Sequence, residues 1–101
     1  MQITYTQDDD HITIFLKGEL DHHSAKKTRE AMDDIISITK PSHLIIDLSD
    51  IGFMDSSGIG LVLGRYKLMF ESGGSVEIIT KTPSIKRIFE MAGVNKLLTV
   101  R

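Results

Sequence analysis

The stretch LIIDLSDIGFMDSSGIG, residues 44–60, decides the fold of this chain. Residues 44–48 are almost continuously apolar, which is typical of a strand buried on both faces in a parallel sheet that helices cover. The polar run 55–57 then leads into a predicted helix from Ser57 to about Phe70, which a Ser-Gly-Gly sequence stops. The stretch therefore predicts a central strand that passes directly into a helix.

Shorter runs precede this stretch. Apolar residues alternate with other residues at 3–5 and at 12–16, which is the period of a strand, and the polar turn 8–11 separates the two runs. They predict an antiparallel pair joined by a short loop. Apolar residues at helical spacing across 25–39 predict an amphipathic helix on the sheet, which ends before Pro41.

Further elements follow the central unit. Residues 76–79 predict another strand. Thr82 and Pro83 are expected to open a third helix as its N-cap and its first residue, and Gly93 is expected to end it. Residues 97–100 predict a last strand.

The order of these elements, β-β-α-β-α-β-α-β, predicts an α/β fold. We expect a single layer of mixed, mostly parallel strands with helices packed on it, and one domain over residues 1–101. The first strand is expected to be an antiparallel addition, and the crossovers are expected to be right-handed.

Several side chains have predicted places on the helices. Asp21 or Ser24 is expected to cap the first helix. The solvated face of the second helix is expected to carry Arg65, Lys67 and Glu71. The inner face of the third helix is expected to carry Ile85, Ile88, Phe89 and Met91.

Composition excludes several classes of function. The 12 basic and 14 acidic residues give a net charge of -2 and are scattered, so neither nucleic acid nor an anionic membrane is an expected partner. The absence of cysteine excludes disulfides and thiolate chemistry. No signal peptide and no membrane span is predicted, and we expect a cytoplasmic protein.

The candidate functional site is the junction of the central strand and the second helix. Functional sites in open α/β sheets usually lie at this carboxyl end of the strands. Ser56 and Ser57 place two hydroxyls at a helix N-terminus, where unpaired N–H groups and the helix dipole tolerate a phosphate. The structural interpretation is a serine cap with Asp55 adding charge at the helix start. The two interpretations are compatible.

Other chemistries fit the residues poorly. The junction lacks the G-x-S-x-G elbow of a serine hydrolase and the lysine of a phosphate-binding loop, so we expect no enzyme and no cofactor. The adjacent His22 and His23 have no evident third ligand, so no metal is expected. Gly60 and Gly64 each cost the helix roughly 1 kcal/mol relative to alanine. Packing on the sheet is favoured over room for a partner as the reason for these glycines.

Four motifs, in the same order along the chain, carry a resemblance to a known family. They are Gly-Glu-Leu-Asp-His-His at 18–23, Leu-Ile-Ile-Asp-Leu at 44–48, residues 53–67 around Asp-Ser-Ser-Gly, and Lys-Arg-Ile-Phe-Glu-Met-Ala-Gly at 86–93. The chain resembles the STAS-domain anti-sigma factor antagonists, most closely the anti-sigma-F antagonists of spore-forming bacteria.

The resemblance implies a regulatory function. Members bind an anti-sigma factor that is also a serine kinase and thereby displace the sigma factor. The kinase phosphorylates the first serine after the aspartate, here Ser56, and the complex dissociates. A phosphatase of the PP2C type restores the antagonist. A general-stress sigma regulator or a signalling scaffold with the same serine switch is the alternative.

The resemblance also implies which residues meet the partner. They are expected to be Asp21, His22, His23, Asp55, Ser57, Gly58 and Gly60.

Overall fold

The computed structural model describes residues 1–101 and contains the predicted order of elements. The strands are β1 (Gln2–Asp8), β2 (His11–Leu20), β3 (His43–Met54), β4 (Ser75–Ile79) and β5 (Thr99–Val100). The helices are α1 (Ala25–Thr39), α2 (Ser56–Glu71) and α3 (Pro83–Met91), and a turn of 3-10 helix spans Val94–Lys96. The α/β class and the order β-β-α-β-α-β-α-β are confirmed.

The five strands form one sheet in the order β1-β2-β3-β4-β5. β1 is antiparallel to β2, as predicted, and the other neighbouring pairs are parallel. From β2 to β5, each strand lies next to the strand that follows it in the sequence, so the three connections run in the same direction across the sheet. Because such connections are right-handed, they place all three helices on the same face. β5 has only two residues, fewer than the predicted strand over 97–100, because residues 94–96 form the 3-10 turn first.

The expectation that the central strand is buried on both faces is wrong. Leu44, Ile46 and Leu48 are completely buried under the helices, whereas Ile45 and Asp47 point to the other face and are only half-buried. No helix covers that second face. The apolar run was misleading because Ile45 adds an apolar residue on the face that stays partly open.

The core lies between the sheet and the three helices. Met32 from α1, Val62 from α2 and Phe89 from α3 are fully buried in it. Met91 is 78% exposed, so its predicted place on the inner face of α3 is wrong. It lies two residues beyond Phe89, and two helical residues are about 200° apart around the axis. None of the helices combines the length and the apolar character that crossing a membrane requires.

Arg65 also departs from its predicted place, because it is 5% exposed instead of lying on the solvated face of α2. Its Nε atom lies 2.9 Å from Oδ1 of Asp33, so an ion pair joins α2 to α1. The N–H is not aligned with that oxygen, and the buried Nη1 atom has no acceptor. Burial lowers the pKa of Arg65 from its usual value, an effect that the Asp33 charge opposes.

Candidate functional site

The carboxyl ends of β2 and β3 place the candidate residues together. Leu20 pairs with Met54 at the ends of the two strands, and the Asp55 N–H donates to the Leu20 carbonyl over 3.2 Å. The loop 21–24 after β2 therefore lies beside the start of α2. This is the edge of the sheet that the sequence predicted.

Asp55 connects these two segments through its side chain. It is the N-cap of α2, and its Oδ1 accepts a hydrogen bond from the Ser57 N–H over 2.8 Å. Its Oδ2 accepts from the His22 N–H over 3.2 Å. The Ser57 N–H, helped by the His22 N–H, lowers the pKa of Asp55, and the nearby Asp21 charge opposes them. Asp55 is therefore a charged cap that also holds the neighbouring loop.

Asp21 organises the loop before α1. Its Oδ1 accepts from the N–H groups of His23 and Ser24, over 2.9 and 3.0 Å. The Ser24 N–H is the largest cause of the lowered pKa of Asp21. Ser24 occupies the N-cap position of α1, but its hydroxyl donates to the Glu19 carbonyl over 2.8 Å and does not cap the helix N–H groups. Both predicted cap residues thus stabilise the loop and leave the end of α1 uncapped by a side chain.

Ser56 is the first residue of α2, and it is exposed. Its hydroxyl makes no hydrogen bond within the chain. Ser57 is half-buried and lies on the side that faces α1. The geometry therefore distinguishes the two serines, which the sequence pattern could not do: Ser56 presents its hydroxyl to solvent.

Two of the N–H groups at the N-terminus of α2 already have acceptors within the chain. The side chain of Asp55 takes the Ser57 N–H, and its carbonyl takes the Gly58 N–H over 3.0 Å. A phosphate on Ser56 would share this helix end with a carboxylate. Fewer unpaired N–H groups are therefore available to a phosphate than the sequence suggested.

Gly58 has a packing role. A Cβ atom at this position would lie 2.4 Å from the Met54 side chain and 3.2 Å from Cδ2 of Leu20. The glycine is buried and lets α2 approach the ends of β2 and β3. Its predicted role as a direct partner contact is not supported, because the surrounding side chains cover it.

Gly60 and Gly64, in contrast to Gly58, have open space where a side chain would lie. A Cβ at either position would meet no atom within 4 Å. Close packing on the sheet, the favoured explanation, is therefore wrong for both glycines. Gly60 is exposed and borders open space beside Ser57.

The two histidines lie at the surface of the same edge. His22 and His23 are both exposed, with ring centroids 5.8 Å apart. No group of three or more His, Cys, Asp or Glu side chains is arranged to hold a metal ion.

Two residues at this edge were missed by the sequence analysis. Phe53 is 52% exposed and adjoins the junction of β3 and α2. Arg29 of α1 borders the same open space as Gly60. Strand alternation could have found Phe53, because the buried Met54 turns its neighbour outward. No local signal identifies Arg29, which reaches the site through the packing of two helices.

Comparison with known proteins agrees with this fold. Residues 2–101 match the family model described as STAS domain. An anti-sigma F factor antagonist of Paenibacillus polymyxa is 37% identical over 89 residues, which cover 88% of this chain and 76% of that protein. An anti-sigma-B factor antagonist of Listeria monocytogenes is 30% identical over 95 residues, which cover 94% and 82%.

A solved structure of a related protein supports the same family. The structure of the Bacillus cell fate determinant SpoIIAA in the phosphorylated form is 27% identical and has a TM-score of 0.75, covering 99% of this chain and 91% of that one. The chain belongs to the STAS domain family and, within it, to the anti-sigma factor antagonists. The resemblance seen in the sequence is confirmed.

Proposed function

We propose that this protein is an anti-anti-sigma factor controlled by phosphorylation of Ser56. In its unphosphorylated form it binds an anti-sigma factor that is a serine kinase, and a sporulation sigma factor is released. The kinase then phosphorylates Ser56 and the complex dissociates, until a PP2C-type phosphatase removes the phosphate. The protein acts in the cytoplasm as a binding partner and not as an enzyme.

The observation that carries this proposal is the exposed, unbonded hydroxyl of Ser56 at the first position of α2. A kinase needs a hydroxyl that its active site can reach, and Ser56 meets this condition where the half-buried Ser57 does not. That a related protein has been solved in a phosphorylated form agrees with such a switch.

The surrounding charges explain why a phosphate would oppose binding. A phosphoserine adds roughly -1.5 to -2 charges at neutral pH. It would arise next to the carboxylate of Asp55 and near that of Asp21, both of which have lowered pKa values and are therefore charged at neutral pH. Like charges facing each other across an interface cost several kcal/mol. An acidic partner surface would therefore be repelled.

The two candidate pathways differ in the partner kinase. Relatives named anti-sigma F factor antagonists reach 37% and 34% identity, from Paenibacillus polymyxa and Lysinibacillus sphaericus. These values favour the sporulation pathway. The 30% identity to the Listeria anti-sigma-B factor antagonist favours a general-stress sigma regulator as the second candidate.

Phosphate mapping tests the proposal. The purified chain is incubated with ATP and each anti-sigma kinase of its host, and mass spectrometry locates the phosphate. We expect one phosphate on Ser56 from one kinase only, none on Ser56→Ala, and wild-type uptake by Ser57→Ala. Phosphate uptake by Ser56→Ala at the wild-type level would reject the assignment.

A further inference from the structure

A groove between the first turns of α1 and α2 opens beside Ser56. It has a volume of about 280 Å³ and is lined by Ala25, Arg29, Ser57, Gly60 and Leu61. Pockets that enclose a small molecule have volumes of about 300–1,000 Å³. The volume of the groove lies just below this range, and the groove therefore suits one side chain of a partner better than a nucleotide or a cofactor.

The charges along this groove are unbalanced. Arg29 is exposed and forms no ion pair. About one helical turn farther along each helix, the buried Arg65 pairs with the carboxylate of Asp33, and its buried Nε and Nη1 atoms have no hydrogen-bond acceptor. Asp33 is therefore paired with Arg65, and Arg29 is left without a carboxylate partner beside the end of α2 that Asp55 caps. The residues that line the groove include the cation Arg29 and no acidic side chain.

Gly60 keeps the groove open. A glycine inside a helix costs roughly 1 kcal/mol relative to alanine, so its presence needs a reason. Packing does not supply one, because a Cβ at Gly60 would meet no atom within 4 Å. The missing side chain leaves space beside Arg29 that another molecule can enter.

We propose that this groove binds an acidic side chain, aspartate or glutamate, of the partner kinase, with Arg29 as its ion-pair partner. The inference rests on the proposed function and adds the chemistry of the contact. It also explains how Ser56 could control binding, because Ser57 lines the groove and Ser56 adjoins it. A phosphate there would compete for Arg29 and repel the incoming carboxylate.

Charge reversal tests this contact. The dissociation constant of the complex with the cognate anti-sigma kinase is measured by calorimetry for the wild-type chain, Arg29→Glu and Lys27→Glu. The control makes the same change in charge at an exposed residue of α1 about 200° away around the helix. We expect Arg29→Glu to weaken binding at least about tenfold, since unpaired interfacial charges are costly, and Lys27→Glu to weaken it much less.

A second variant tests whether the open space of the groove is needed for binding, without changing any charge. Gly60→Leu fills the open space and improves helix propensity, so it should keep or raise the thermal midpoint while weakening binding. Equal affinities of Arg29→Glu and Lys27→Glu, or wild-type binding by Gly60→Leu, would overturn the groove proposal alone if the wild-type chain still binds the kinase. A wild-type chain that binds no anti-sigma kinase would overturn the proposed function as well.

Discussion

The carboxylate of Asp55 accepts a hydrogen bond from the His22 N–H over 3.2 Å, although the two residues are 33 positions apart in the sequence. The same carboxylate caps α2 next to Ser56. One side chain therefore fixes both the helix that presents the hydroxyl and the loop that flanks it. A charge added at Ser56 would arise next to this carboxylate.

Asp55 should be replaceable by another cap but not by alanine. Asp55→Asn keeps an oxygen for the Ser57 N–H and should lose only the part of the stability that the carboxylate charge contributes. Asp55→Ala loses the cap and should lower the thermal midpoint by roughly 4–8 °C, as expected for a helix cap in a domain of this size. Differential scanning calorimetry of the wild type and the two variants measures these midpoints. Equal midpoints for the two variants would contradict a capping role.

The charge on Asp55 should make part of the stability depend on pH. Its folded-state pKa is lowered, so its contribution is present above the unfolded pKa of about 3.9 and is lost as pH falls through the folded value. Urea unfolding of the wild type and Asp55→Asn at pH 7, 5 and 3 measures this contribution. The free-energy advantage of the wild type should be constant between pH 7 and 5 and should shrink at pH 3. An advantage that does not change with pH would show that the charge of the Asp55 carboxylate does not contribute to stability.

Gly58 and Gly64 offer a matched pair within α2. Gly58→Ala forces the new Cβ against the Met54 side chain and should destabilise the protein by about 1–3 kcal/mol, as overpacking does. Gly64→Ala meets no atom within 4 Å and should stabilise the protein by up to about 1 kcal/mol through helix propensity. Chemical denaturation measures both values. The packing account fails if the two variants shift stability in the same direction.

Removing the carboxylate of the Arg65–Asp33 ion pair should lower the free energy of unfolding more than replacing the buried arginine with an apolar side chain. Asp33→Ala leaves a buried guanidinium without its carboxylate and should cost about 1–3 kcal/mol. Arg65→Met fills similar space without a charge and should cost less, because apolar replacements of buried ion pairs are often tolerated. Urea denaturation of the two variants gives the comparison. A larger loss for Arg65→Met would mean that the pair itself stabilises the contact between α1 and α2.

The sequence predicted the features that depend on local patterns. Alternation in β2, the apolar run in β3 and helical spacing in α1 predicted the order of elements. The place of Asp21 near Ser56 was implied only by the family resemblance, and the register of β2 and β3 puts both residues at one edge. Predictions about single side chains were less successful. Met91 and Arg65 were misplaced because helical spacing alone does not show which direction faces the sheet or a neighbouring helix.

The same limit applies to the candidate site. The hydroxyl at a helix start was readable from the Asp-Ser-Ser-Gly sequence. The hydrogen bond between Asp55 and His22 was not, because it joins two loops that only the register of β2 and β3 brings together. The choice of Ser56 over Ser57 came from the family resemblance, and the difference in exposure now provides a physical reason for it.

The affinity of the cognate anti-sigma kinase for this chain, with and without a phosphate on Ser56, tests the central claim most directly. Calorimetric titration should compare the unmodified chain with chain phosphorylated by that kinase and verified by mass spectrometry. We predict tight binding of the unmodified chain and at least about a tenfold weaker binding after phosphorylation, which corresponds to about 1.4 kcal/mol. Equal affinities of the two forms would contradict the proposal that Ser56 is the switch.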